Sequence, residues 1–347
     1  MKKKKKEKKI LYQLIFSAFL LFSNAYLVKA NSDILSQDST GKYCINTEQD
    51  YYNFIENIQN YNNKTVILCN DIDISDVPEA TSSFGGILNG KGHTITYASK
   101  EAKENIAVFP FRINDNGIVE NINVQIDESY AYNSETDEFQ TVFSQCDGIA
   151  KGITIKGNVT CIYDDEDEDV SIGAIEGNGT LMDSSIAITY DLQSEKTIEE
   201  IAEDIVENDL EFEFCQLGTT YTGITYQNCI GYGQYSEAIK SLADELEPKI
   251  EDDTWGSLYV SFTRKSFFST SASATNCYYD KENMPDIKIR SEYIANRDNN
   301  KEFPNYADFG KTTSEMKNQG TYEGFDFNKK WTISPEDNNG YPYYNLQ

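Results

Sequence analysis

Histidine, arginine and tryptophan are scarce in this 347-residue chain: one His (His93), four Arg (Arg112, Arg264, Arg290, Arg297) and two Trp. A lone histidine without any C-x-x-C pair argues against a Cys/His metal site. Basic charge is short as well, with 30 Lys and Arg against 57 Asp and Glu, a net charge of −27. Such a surface repels nucleic acid and other polyanions. No apolar run follows the first thirty residues that could cross a membrane. No L-P-x-T-G sorting motif precedes the final Asn345-Leu346-Gln347, so covalent attachment to a cell wall is not expected.

What is present starts with an export signal. Lys2 to Lys6, Lys8 and Lys9 form a basic head, Ile10 to Phe22 an apolar stretch, and Val28-Lys29-Ala30 a small-residue cleavage site. Residues 1–30 are therefore expected to be removed, and the body to lie outside the cell, secreted or at the surface; retention of the segment as an anchor is the other option. Removal takes away eight lysines and Glu7, leaving 22 basic against 56 acidic residues, about −34. With 24 Tyr and 18 Phe the remainder is too apolar for disorder and long enough for one elongated domain.

Residues 31–83 read as a strand, a helix and further strands. Tyr43 to Thr47 is extended, Glu48 to Asn60 places Tyr52, Phe54, Ile55 and Ile58 on one helical face with Thr47 as cap, and Thr65 to Cys69 and Ile72 to Ile74 are strands. Residues 84–282 carry degenerate repeats: an apolar strand, a glycine turn and an alternating strand, as in Val108–Phe111 before Gly117–Val124, Val142–Cys146 before Gly152–Val159, Ser171–Ile175 before Gly179–Leu181, and Phe214–Leu217 before Gly223–Ile230. Units of this kind bury their apolar faces only by stacking. Two stretches break the pattern with helical spacing, 195–214 (Ile198, Ile201, Ala202, Ile205, Val206, Leu210) and 236–250 (Ala238, Ile239, Leu242, Ala243, Leu246, Ile250), and are read as helical excursions on the flank.

Phe84-Gly85-Gly86-Ile87-Leu88-Asn89-Gly90-Lys91-Gly92-His93-Thr94-Ile95 resembles the opening coil of right-handed β-helices, with Ile87, Ile95 and Tyr97 expected inward. In residues 283–347, Trp331-Thr332-Ile333 and Gly340-Tyr341-Pro342-Tyr343 resemble the closing cassette of the GLUG-type β-helical surface proteins of bacteria, as does Asn276-Cys277-Tyr278-Tyr279-Asp280 before it. The resemblance implies an all-β, right-handed parallel β-helix (a solenoid) with an N-terminal strand-helix cap, helical excursions and a C-terminal cap, and an adhesin-like binding role. Trp331, Tyr341 and Tyr343 are then expected to cover the apolar end of the last coil, and His93 to hydrogen-bond backbone at its turn.

Seven cysteines, an odd number, argue against a full disulfide framework. Cys44 with Cys69 is the candidate bridge; Cys146 with Cys215, and Cys229 with Cys277, are expected as stacked thiols at equivalent repeat positions. The run Asp164, Asp165, Glu166, Asp167, Glu168, Asp169 is a weak calcium candidate, lacking the Asp/Asn-Gly alternation of calcium loops. No catalytic constellation and no cofactor site emerges: the arginines do not cluster with lysine, and outside 164–169 no acid pair recurs within a repeat. The expected role is binding of an extracellular ligand, a host protein or a neutral glycan; the alternative is a glycan-active enzyme, a lyase or hydrolase.

Overall fold

The computed structural model describes residues 35–345 apart from 76, 79, 81, 99–106, 132–138, 164–169, 216–222, 251–255, 262–272, 285–286 and 290–308. Residues 1–30, read above as an export signal, the acidic run 164–169, Arg264, Arg290 and Arg297 lie outside the described residues. No described helix is long and apolar enough to cross a membrane.

The chain is mostly β, built from parallel strands that do not close into a barrel. Its larger sheet stacks short strands: Thr65, Ile87, Ile118, Ile149, Thr180, Thr225 and Ser273 lie side by side in parallel register. The step is 31 residues through the middle of the sheet. After a corner, each repeat adds a second strand to the same sheet, such as Thr154 to Ile162 beside Ser185–Gln193. The chain then crosses to a six-stranded second sheet, whose strands include Phe109–Ile113, Phe139–Cys146 and Val170–Ile175. The inward side chains of both sheets fill one core cluster, from Ile45 through Val119, Ile155 and Ile188 to Cys277.

Two corners recur, each for a backbone reason. At one, Gly117, Gly148 and Gly179 stack so closely that a Cβ on Gly148 would meet the Gly117 carbonyl oxygen at 2.3 Å. Gly152, which the sequence suggested for this role, sits at the other corner. There Asn121, Gly152, Asp183, Asn228 and Asn276 all adopt the left-handed conformation, φ between 49° and 61°, one that asparagine, aspartate and glycine tolerate best.

The steps of 45 and 48 residues that end the series are longer because each holds a helix. Helix α1 (Glu48–Glu56) belongs to the N-terminal cap, while α2 (Ile198–Glu207) and α3 (Glu237–Leu246) occupy the connections between the two sheets. Thr47 caps α1 as expected, with its side chain accepting from the Asp50 N–H, but Tyr51 rather than Tyr52 is fully buried. Thr197 and Glu200 form a reciprocal capping box on α2. The excursion read over 195–214 ends earlier than its apolar spacing suggested, since Glu211–Cys215 is a strand of the second sheet. Ile201, Ala202 and Ile205 of α2 and Ile239, Leu242 and Leu246 of α3 join the main core cluster. The helices are thus integral walls on the flank.

Other expectations shift by one residue or one strand. Leu88 rather than Ile87 is fully buried, because the turn at Gly90–Gly92 changes the phase of the alternation before Ile95 and Tyr97, which do point inward. Cys44 and Cys69 are bridged. Cys229 and Cys277 precede the paired residues Ile230 and Tyr278 and stack as buried thiols. Cys146 and Cys215 do not stack: Cys146 lies beside Ile113 and Cys215 beside Ser261, at different heights along their strands.

Candidate functional site

The site begins with the outward side chains of the larger sheet. Strand alternation sends Asn123, Thr154, Ser185, Ile230 and Tyr278 into one outer column. Gln125, Lys156 and Ala187 form a second, which Tyr232 continues through its N–H bond to the Ile186 carbonyl. Asp127, Asn158, Thr189 and Gln234 form a third. Each column is polar on the earlier strands, and the first two turn apolar at Ile230, Tyr232 and Tyr278. The last repeats therefore present an apolar outer face that needs a cover.

The C-terminal cassette supplies it. Met316, Tyr322, Trp331 and Tyr341 pack with Ile230 and Tyr278 into a second hydrophobic cluster, separate from the main core, with Phe325, Phe327 and Tyr344 against it. Trp331 and Tyr341 were expected over the end of the last repeat; they instead cover the side of the sheet, and Tyr343 is only partly buried. The cause is the composition of the first two outer columns: their apolar members lie on the side of the stack. Gly310–Lys311 adds a last parallel strand to the main sheet, while Trp331–Thr332 and Tyr343–Tyr344 pair only with each other and reach that sheet through side chains.

Three anchors hold it. Asp280 is fully buried and accepts from the Tyr341 hydroxyl at 2.5 Å, the Thr313 hydroxyl at 2.8 Å, the Asn283 amide at 3.0 Å and the backbone N–H groups of Glu282 and Asn283. Lys330 Nζ donates to Asp183 at 2.8 Å, in the left-handed corner, and Asn228 donates to the same carboxylate at 3.0 Å; the bond to Asp183 raises the Lys330 pKa. The Tyr232 and Tyr341 rings stack at 4.5 Å, and Asn338 bonds the Tyr232 hydroxyl. Burial pushes the Tyr232 phenol up to about 12. Gly152 completes the fit, since a Cβ there would run into the Tyr344 ring at 2.7 Å.

Beside the cassette lies a groove of about 410 Å³. Its floor is the outer face of the sheet, with Lys156, Thr189 and Gln234; its wall is the cassette, with Glu336, Asn338 and Asn339; the Tyr232–Tyr341 stack closes one side. Lys156 is partly buried and burial lowers its pKa. The lining is rich in amides and hydroxyls, with one ammonium and one carboxylate. Groups of this kind recognise polyhydroxylated ligands through many directional hydrogen bonds.

A pair of carboxylates sits at the glycine corner. Arg112 Nε donates to Asp147 at 2.6 Å, and the Asn178 N–H donates to the same carboxylate at 3.0 Å. Burial first, and the Asp147 charge second, raise the pKa of Glu176. These acids come from consecutive repeats, which is why a search within single repeats missed them. His93 is not bonded as expected: its ring Nδ1 meets the Asp71 carboxylate at 3.1 Å, and only its backbone joins the turn. Among the described residues no group of three or more His, Cys, Asp or Glu could hold a metal ion. No family model, curated protein or solved structure matches the chain.

Proposed function

We propose that the chain is an exported right-handed parallel β-helix of the GLUG-like, adhesin-like kind, secreted or displayed at the cell surface, which binds extracellular glycans in the groove beside its C-terminal cassette. The 31-residue parallel step that recurs through the middle of the sheet and the stacked left-handed corner support the solenoid. The observation that carries the binding reading is the groove itself: a concave site of about 410 Å³ faced with amides and hydroxyls and edged by aromatic rings. A volume of that order accommodates a saccharide of one or two rings. The test is a glycan array probed with the mature chain, alongside Thr189→Trp, which fills the groove from its floor. Binding that is lost in Thr189→Trp supports the reading, and equal binding by both proteins overturns it.

A second reading, a glycan hydrolase, is favoured by Asp147 and Glu176. A carboxyl whose pKa is raised by burial and by a neighbouring carboxylate is the arrangement from which general acid catalysis at a glycosidic bond is built. Release of reducing sugar from a glycan panel, abolished by Glu176→Gln, would establish it; no release by the wild-type chain would remove it.

A further inference from the structure

Resting on the groove as a saccharide site, we infer that it is specific for acidic sugars, and that Lys156 binds the ligand's carboxylate. The argument starts from how this acidic chain disposes of its cations. Arg112, Lys151, Lys196, Lys240, Lys249 and Lys330 each lie within 3.3 Å of a carboxylate. The lysines without such a partner among the described residues, Lys42, Lys64, Lys91, Lys281, Lys317 and Lys329, stand exposed to water. Lys156 does neither. It lines the groove, is partly buried, and has no hydrogen bond or ion pair among the described residues.

Its register neighbours are Gln125 and Ala187, neither able to neutralise it. Burial lowers its pKa with no opposing carboxylate, so the ammonium loses water without gaining a partner. An anion entering the groove would supply that partner, and a desolvated charge pair of this kind is among the stronger contacts a ligand can make.

Glu336 lines the same groove from the cassette, and its charge is not among the causes of the Lys156 shift. Its place gives the site a direction. A sugar carboxylate is drawn toward Lys156 and away from Glu336, while Glu336 and Asn339 face the ring hydroxyls, the former as acceptor only. The overall negative charge does not veto such a ligand. Surface charges further away than about 10 Å are largely screened at physiological salt, so the nearest groups decide.

The experiment is calorimetric titration of the mature chain with trigalacturonate and sialyllactose, each compared with its carboxyl methyl ester, which keeps the shape and loses the charge. The wild-type chain is expected to bind at least one acid form tenfold or more tightly than its ester. Lys156→Met should bring acid and ester to the same affinity, Lys156→Arg should keep the preference, and both should melt no lower than wild type. Equal binding of acid and ester by wild type, or a preference surviving in Lys156→Met, overturns the inference. If neutral oligosaccharides bind and Thr189→Trp blocks them while no acid form is preferred, the carboxylate specificity fails and the saccharide site stands; if nothing binds, both fall.

Discussion

Single residues set the fine geometry here, and those that matter most are polar and buried. Asp280 gathers three side-chain donors and two backbone N–H groups, and removing it strands them together. Asp280→Ala is expected to cost roughly 3 kcal/mol or more, read by chemical denaturation, and to weaken ligand binding because the Tyr341 wall loosens. Glu176 gives a pH prediction with a definite sign. Its folded pKa is raised, so below the ordinary value of about 4.5 it is protonated in both states and costs nothing. As pH rises through 4.5 toward the folded value the unfolded state releases its proton first, and stability falls. Glu176→Gln should flatten that slope and raise the melting temperature at pH 7; an unchanged profile would show that Glu176 is already solvated. The corner residues Asn121, Gly152, Asp183, Asn228 and Asn276 were only partly legible in the sequence. The repeat equivalence of Cys229 and Cys277 was visible, but the equivalence of the asparagines before them, Asn228 and Asn276, to Gly152 and Asp183 depends on register.

At the scale of elements, the helices and the cassette follow different physics. Apolar spacing located α2 and α3, because an amphipathic period survives without knowledge of the partner. It did not place the end of α2, where Phe212 and Phe214 continue an apolar pattern yet face inward from a strand. Ile205→Ala and Leu242→Ala, both at fully buried positions, should each cost about 2 to 5 kcal/mol. A value under about 1 kcal/mol, measured by urea unfolding, would return the helices to the periphery. The cassette motif was legible as a cover, but the face it covers was not. Trp331 is 2% exposed, yet its Nε1 has no hydrogen-bond partner among the described residues. Trp331→Ala should therefore fall toward the lower end of roughly 3 to 5 kcal/mol, since an unsatisfied donor leaves with the ring. Loss of the cassette from the side of the sheet should also abolish the groove, which a cover over the end of the stack would not do.

For the whole molecule, the proposed solenoid predicts a stability close to a sum over neighbouring repeats, with the ends as weak points. The Cys44–Cys69 bridge ties the N-terminal end across 25 residues, and its double replacement by alanine should cost roughly 3 kcal/mol through the unfolded chain's entropy. The other five cysteines are buried, and burial pushes the Cys146 thiol up to about 12. A thiol reagent should modify none of them in the native protein and all five in denaturant; rapid native labelling would show that the stack opens locally.

The sequence by itself determined the mostly β character, the stacking repeats and the positions of the helices, because each rests on local spacing, turn chemistry or composition; it offered Cys44–Cys69 as a candidate that the structure bridges. Tertiary structure decided the phase of each strand, the corner that Gly152 occupies, the meeting of Asp147 with Glu176 and the folding of the cassette onto the side of the sheet. The physical reason is register. Side chains in a strand alternate with period two and neighbouring repeats meet 31 to 48 residues apart, so which residues share a column, and which face is left apolar, exists only once the strands are laid side by side.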